Sequence, residues 1–265
     1  MTLAELQPFS EAIRALAARG VLPTNLGSAE LQQLGAGFHR QNFTSARTLL
    51  TDLLEGYKAD LEKILNPTTE TNPETGLPRT VGMDAATARL NAKQLLQKLG
   101  YSPETNERGT IKDLGSDARI NLVIQTNKDV MTGAGQFIQS QDEDVLVAYP
   151  AWELFRLEAR QAERNWKARF RICAEVVGDV DAARVLAETG RMMARKDSPI
   201  WQALGDGQDG STDTLGNPFP PFAFNSGMDV RDIARSEAIR LGLVRAGEVI
   251  QSTLPDDLAQ LFSAN

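Results

Sequence analysis

The stretch Asn217-Pro-Phe-Pro-Pro-Phe-Ala-Phe-Asn-Ser-Gly227 constrains the fold more than any other part of the chain. Proline fixes φ and brings no N–H to a helix or sheet ladder. The residue before each proline is pushed to extended conformations. Pro218 to Pro221 therefore predicts a rigid, extended strap. Phe219, Phe222 and Phe224 sit in the same run. Each ring can bury roughly 150–250 Å², which is too apolar for a linker hanging in water. The strap is expected to pack onto a domain and close it. It is either a loop held on the surface or an active-site lid, and no catalytic partner for a lid stands out.

Helical periodicity dominates the rest. Leu6, Phe9, Ile13 and Leu16 recur at three- and four-residue spacing and predict a helix over Leu3 to Ala18, with Gly20 as its C-cap. Ser28 caps a short helix that Gly35 and Gly37 break. Thr44 to Leu65 reads as a longer helix, its stripe formed by Leu50, Leu53, Leu54, Tyr57, Leu61 and Leu65. That stripe can face the chain's own core or a neighbouring subunit. Pro67 to Gly82 is polar and proline-rich, so it reads as an exposed loop or arm. Asp84 caps a helix to Leu99. Ser116 or Asp117 opens another, in which Gly133 and Gly135 suggest close approach by a second backbone.

Asp142-Glu-Asp144 reads as a solvated acidic loop. From Trp152 to Arg160 two periods compete. As a helix, this segment would align Arg156, Arg160, Arg164, Lys167 and Arg171 in one basic stripe, diluted by Glu153, Glu158 and Glu163. As a strand, it would alternate. Asn165 and Asp179 each cap a helix, and Gly190 ends the second. Arg191 to Ala194 and Met228 to Ile233 read as strands, and Arg235 to Gly242 and Pro255 to Phe262 as short helices. Leu258, Leu261 and Phe262 share one side of the last.

Composition excludes several classes of chemistry. With one histidine, His39, and one cysteine, Cys173, a His/Cys zinc cluster and an intramolecular disulfide are ruled out, and a Ser-His-Asp triad has a single candidate base. Cys173 lies in an apolar run and reads as a small buried hydrophobe. The net charge of −7 argues against direct DNA binding. The N-terminus lacks the pattern of a signal peptide, and no apolar run is long enough to span a membrane. Asp206, Asp209 and Asp213 lie in a Gly/Asp-rich loop and are candidate ligands for a hard cation such as calcium, although the one-three-five spacing of an EF-hand is absent.

Three segments of the second half resemble the phage Mu F-type head-morphogenesis family, minor capsid proteins that sit near the portal. The helix Ala118 to Phe137 is similar to the family's helix with an Arg, a Thr-Asn pair and a small-residue Ala-x-x-x-Gly segment. Thr189-Gly-Arg-Met-Met-Ala-Arg-Lys-Asp-Ser-Pro-Ile-Trp201 is similar to its Gly-(Arg/Lys)-Val strand and Asp-x-Pro-Phe/Trp turn. Pro220 to Gly227 stands where the family carries a closing strand. The likeness spans roughly 117–235, and it implies a strand at Trp152 to Arg160. The closing strand's His and Cys are absent here, so no metal or redox role carries over. The family's core is thought to resemble the ADP-ribosyltransferase fold. No Arg, Ser-Thr-Ser and Glu-x-Glu set accompanies it here, so that activity is not implied.

The expectation is an α+β chain, predominantly helical, with a small antiparallel sheet flanked by helices. Its parts are a helical region over 1–112 with an exposed loop at 67–82, an α+β domain over 113–245 and a tail helix over 246–265. The resemblance implies a non-enzymatic virion protein of a tailed phage or prophage that uses no cofactor. It would act in head morphogenesis or head-to-neck connection, bound to portal, capsid or neck proteins or to copies of itself. Leu50, Leu54, Tyr57, Leu61, Phe219, Phe222, Phe224, Leu258 and Phe262 are the candidate contacts. A nuclease or nucleotide-transferase toxin is the alternative, with Arg191, Arg195, Lys196, Asp197 and His39 as candidate groups. A calcium-dependent binding module on the three aspartates is the third reading.

Overall fold

The chain folds as an α+β protein, mainly helical, with one small antiparallel sheet of three strands flanked by helices. The computed structural model describes residues 9–160, 163–256 and 258–259. Two compact units divide it at residue 135, so the division falls within a helix that was expected to open the second domain.

The first unit contains α1 (Ser10–Ala17), β1 (Gly20–Val21), α2 (Ser28–Gln32), α3 (Gly35–Gln41), β2 (Asn42–Phe43) and α4 (Thr51–Leu65). β3 (Thr68–Thr71), β4 (Pro78–Val81), α5 (Ala85–Lys98) and most of α6 (Asp117–Ser140) follow. The apolar stripe of α4 is core: Leu53, Leu54, Tyr57, Leu61 and Leu65 are buried together with Phe43, Ala88, Leu96 and Ile120. The helix begins at Thr51 and not at Thr44, because tertiary partners hold the preceding segment out of a helix, with a turn over Ser45 to Thr48 in which Arg47 has φ +52. Phe43 pairs in parallel with Val21, and Thr24 N–H donates to the Thr48 carbonyl at 2.9 Å. The buried Arg119 guanidinium donates to Ser45 Oγ at 2.6 Å and to the Ala46 carbonyl at 2.5 Å. These long-range bonds outweigh the local helical period.

Other local expectations change for similar reasons. Gly20 pairs with Asn42 in β1 and caps nothing, while Ala18 ends α1. Gly35 opens α3 with φ +77 instead of ending a helical stretch. The 67–82 segment is exposed as expected, but it is a regular antiparallel hairpin pairing Thr68 with Val81 and Thr71 with Pro78. Asn72 Oδ1 makes its turn, accepting from the N–H groups of Glu74 and Thr75, a local bond that asparagine offers readily. The close approach suggested at Gly135 is present. A Cβ there would lie 2.7 Å from the Phe9 ring and 3.0 Å from the Ala12 nitrogen.

The second unit begins with the end of α6. It continues through α7 (Glu143–Ala148), β5 (Ala151–Arg156), α8 (Trp166–Val177), α9 (Val180–Thr189), β6 (Met192–Arg195), α10 (Ile200–Asp206), β7 (Met228–Ile233) and α11 (Arg235–Arg240). The acidic triplet at 142–144 is the start of a helix and not a loop: Asp142 Oδ1 accepts from Asp144 N at 3.0 Å and Val145 N at 3.3 Å. β5 is the central strand, antiparallel to β6 and β7, so the strand alternative holds at Trp152. It stops at Arg156, where the N–H groups of Leu157 and Glu158 both turn onto the Gly227 carbonyl.

Side chains alternate across the sheet. Ala151, Met193 and Ile233 face a cluster with Leu146, Val185, Ala238, Leu243, Val244 and Ile250. Trp152 faces an aromatic group: Trp201 lies 5.5 Å away and Phe137 5.9 Å away, centroid to centroid. Phe219 and Phe222 of the strap complete that group, 5.2 Å from Phe137 and 6.1 Å from Trp201. The strap therefore closes the second unit as a piece of core, with Phe224 half-buried at its end. Residues 220–227, where the resemblance implied a closing strand, are irregular and lead into β7.

The tail is no separate piece. Ile250 joins the cluster under the sheet, and Thr253 N–H donates to Gln141 Oε1 at 2.7 Å. Leu258 is buried, and Leu261 and Phe262 lie outside the described residues.

Asp179 joins two helix starts. Its Oδ1 accepts from Ala182 N at 2.9 Å, capping α9, and its Oδ2 accepts from Ser198 Oγ, which in turn accepts from Ile200 N at the start of α10. Asp179→Ala is expected to cost about 1–2 kcal/mol, read as a lower urea midpoint with an unchanged slope. Asp179→Asn, which keeps an accepting oxygen, should lose less.

Candidate functional site

The ionic groups of the second unit concentrate on the sheet. Glu153 lies at the centre of β5, opposite Met193 of β6 and Arg231 of β7. It is a buried carboxylate, 6% exposed, between two arginines. Arg191 binds it through Nε at 3.0 Å and also through Nη2, while Arg231 reaches Oε2 at 3.0 and 2.8 Å. Arg191 turns its remaining nitrogen to Glu237 at 2.7 Å. Burial alone would raise the Glu153 carboxyl. The hydrogen bonds and charges of Arg191 and Arg231 outweigh it and hold the group below the ordinary carboxylate value.

The sign of the pH effect follows. A carboxyl depressed in the folded state contributes stability that is complete above its unfolded value and is lost as pH falls through its folded value. Glu153→Gln is expected to lower stability at pH 7 by about 1–2 kcal/mol, since both arginines keep partial contact with water. It should also flatten the loss of stability below about pH 4.5. Urea titrations at several pH values check both; an unchanged acid limb would remove Glu153 as its source.

Beside this group the sheet opens into a cleft of about 370 Å³. β6 begins at Met192, opposite Leu154, so β5 runs on past it to Arg156 without a neighbour on that side. Gly190, with φ +72, turns the chain away at that point. Leu154, Met192 and Met228 give the cleft an apolar lining, while Arg156, Arg164, Lys167 and Arg191 give it positive charge. Trp166 lines it at the first position of α8, whose N-cap, Asn165, accepts from Ala168 N at 3.1 Å. Three members of the basic stripe expected of a helix thus meet here by a different route, one from a strand, one from a loop and one from a helix.

The remaining candidates fall elsewhere. Asp209 and Asp213 grip Arg169, the former at 3.0 Å, and Asp213 also binds Arg164 at 2.6 Å. Asp206 accepts from Gln202 Nε2 at 2.8 Å. Two of the three loop carboxylates are thus occupied by arginine, and among the described residues no group of three or more His, Cys, Asp or Glu could hold a metal ion. Arg191, Arg195, Lys196 and Asp197 do not form one site. Arg195 binds Asp197 and Glu248 at 2.7 and 2.5 Å, whereas Lys196 is fully buried with Nζ 2.7 Å from Asp232. His39 lies in the first unit, hydrogen-bonded to the Leu31 carbonyl at 2.9 Å, and burial lowers its pKa. Cys173 is wholly buried, and burial pushes its thiol up to about 11.

Leu54, Tyr57, Leu61, Phe219, Phe222 and Leu258 are buried within this chain, so they are corrected from contact candidates to interior residues. Leu50 and Phe224 are half-buried, and Phe262 lies outside the described residues. The scan of family models and the searches of curated proteins and of solved structures gave no match. No helix among the described residues is long and apolar enough to cross a membrane.

Glu153 and Arg231 are what sequence reasoning missed at this site. The signal was a carboxylate between Trp152 and Leu154 in a strand-like run. A charge there is costly to bury unless it is paired, so it points to arginines on the neighbouring strands.

Proposed function

We propose that this chain is a minor structural protein of a tailed-phage or prophage head, acting next to the portal in head assembly or head-to-neck connection. The observation that carries the reading is how the three family-like segments pack. The end of α6 contributes Phe137, the start of α10 contributes Trp201, and the strap contributes Phe219 and Phe222. With Trp152 of the intervening strand they form one aromatic group. Parts of all three family-like segments thus share one aromatic group, although residues 118–135 of the first segment belong to the first unit. The ion pairs favour a scaffolding role over the toxin alternative, since its candidates Arg195 and Lys196 are held by Asp197, Glu248 and Asp232.

The test is light scattering of the purified chain, alone and mixed with the portal protein encoded beside it. Joining the portal ring at a fixed stoichiometry is the expected result. A chain that ignores the portal but cleaves nucleic acid or modifies a nucleotide would replace this reading with the toxin.

A further inference from the structure

The cleft beside β5 is lined by more cations than carboxylates in a chain whose net charge is −7. Four cations line it, and the single carboxylate among the lining residues, Glu153, is already held by Arg191 and Arg231. Two of the cations are fixed in place. Arg164 binds Asp213 at 2.6 Å and donates to the carbonyls of Phe224 and Asn225 at 2.7 and 3.1 Å. Arg191 is braced by Glu153 and Glu237. Arg156 has only a looser partner, Glu163, at 3.5 Å. Lys167 is exposed and makes no ion pair with a described residue.

Hydrogen-bond donors are left over as well. Arg156 Nη1 and Trp166 Nε1 are buried without a partner among the described residues, and Trp166 is itself only 3% exposed. Buried donors of this kind are normally satisfied. The start of α8, a helix of twelve residues, lies at the same place, where the helix dipole favours an anion. Braced cations, an exposed lysine, residues with unpaired donors and a helix start therefore line one cleft.

We infer that this cleft binds a phosphate group, either free or as the monoester of a small organic molecule. A phosphate offers oxygens in several directions, which suits cations arriving from β5, the loop before α8, α8 itself and the turn before β6, and guanidinium groups bind it well. The volume of about 370 Å³ exceeds what the anion alone needs. Leu154, Met192 and Met228 supply an apolar wall for the ester's organic part. The inference stands apart from the head-protein reading, because phosphate binding is measured on the isolated chain and portal binding on the mixture.

The experiment is calorimetric titration of the full chain with inorganic phosphate and, separately, with adenosine monophosphate, at matched ionic strength. The expected result is saturable binding at one site per chain. Lys167→Ala, at an exposed position, should weaken it by at least about tenfold, and Lys167→Glu should abolish it. Lys98→Ala, a surface change in the first unit, should leave it unaltered. Tighter binding of the monophosphate identifies an ester as the ligand, and equal binding identifies free phosphate. No saturable binding of either, or binding that Lys167→Glu leaves intact, overturns the inference. Tryptophan fluorescence of each variant verifies that it is folded.

Discussion

Trp201→Ala is expected to destabilise the second unit by about 4 kcal/mol, at the upper end of what a single core truncation costs. Trp201 is 2% exposed and sits at the middle of the aromatic group, against Trp152, Phe170 and Phe222. Its removal opens a cavity between the sheet and the strap, and proline-fixed backbone is poorly suited to collapse into it. It also strips the Arg195 carbonyl of the hydrogen bond that Trp201 Nε1 donates at 2.7 Å. Trp201→Phe separates the two effects. It keeps most of the packing and should cost about 1–2 kcal/mol, chiefly for the lost bond. Tryptophan fluorescence is the natural probe, because Trp152, Trp166 and Trp201 all lie in the second unit. If Trp201→Ala left the urea midpoint within error of the parent, the aromatic group would not be what holds the strap.

Gly205→Ala is the second large effect, at about 3 kcal/mol. Local propensity predicts the opposite sign, since alanine inside a helix is favoured over glycine by about 1 kcal/mol. Packing decides against it. A Cβ at Gly205 would fall on the carbonyl oxygen of Asn217, 2.8 Å from its carbon and 3.0 Å from its nitrogen. Backbone cannot turn aside as a side-chain end can. The same crossing carries a hydrogen bond from Gly216 N–H to the Gly205 carbonyl at 2.8 Å. Methylating Gly205 would thus push the start of the strap away from α10. Gly37→Ala is the counter-case: it is helical, with nothing within 4 Å of the added carbon. It should gain about 0.5–1 kcal/mol, followed by circular dichroism. A destabilisation there together with none at Gly205 would reverse the argument.

The sequence by itself determined features whose causes are local. Asp84, Asn165 and Asp179 cap the helices they were expected to cap, because an oxygen that reaches an N–H two or three residues on needs no tertiary partner. Gly190 ends α9 with φ +72 for a similar reason. Met228–Ile233 was legible as a strand, and the apolar strap as something that must be covered. The buried stripe of α4 was legible too, though not what buries it.

What only the tertiary structure decided depends on partners distant in the chain. Thr44 to Leu50 has the apolar spacing of a helix, yet Thr24 and Arg119 hold it in a turn and a bridge. Two readings of Trp152 to Arg160 were open until β6 and β7 took up both edges of β5. The candidate cleft shows the same dependence most plainly. Arg156, Arg164 and Lys167 meet Arg191 because the sheet ends at Gly190 while β5 runs on. No period of residues along one element encodes that meeting. Charge and apolar spacing are properties of a segment, whereas the shape of a site is a property of where segments stop.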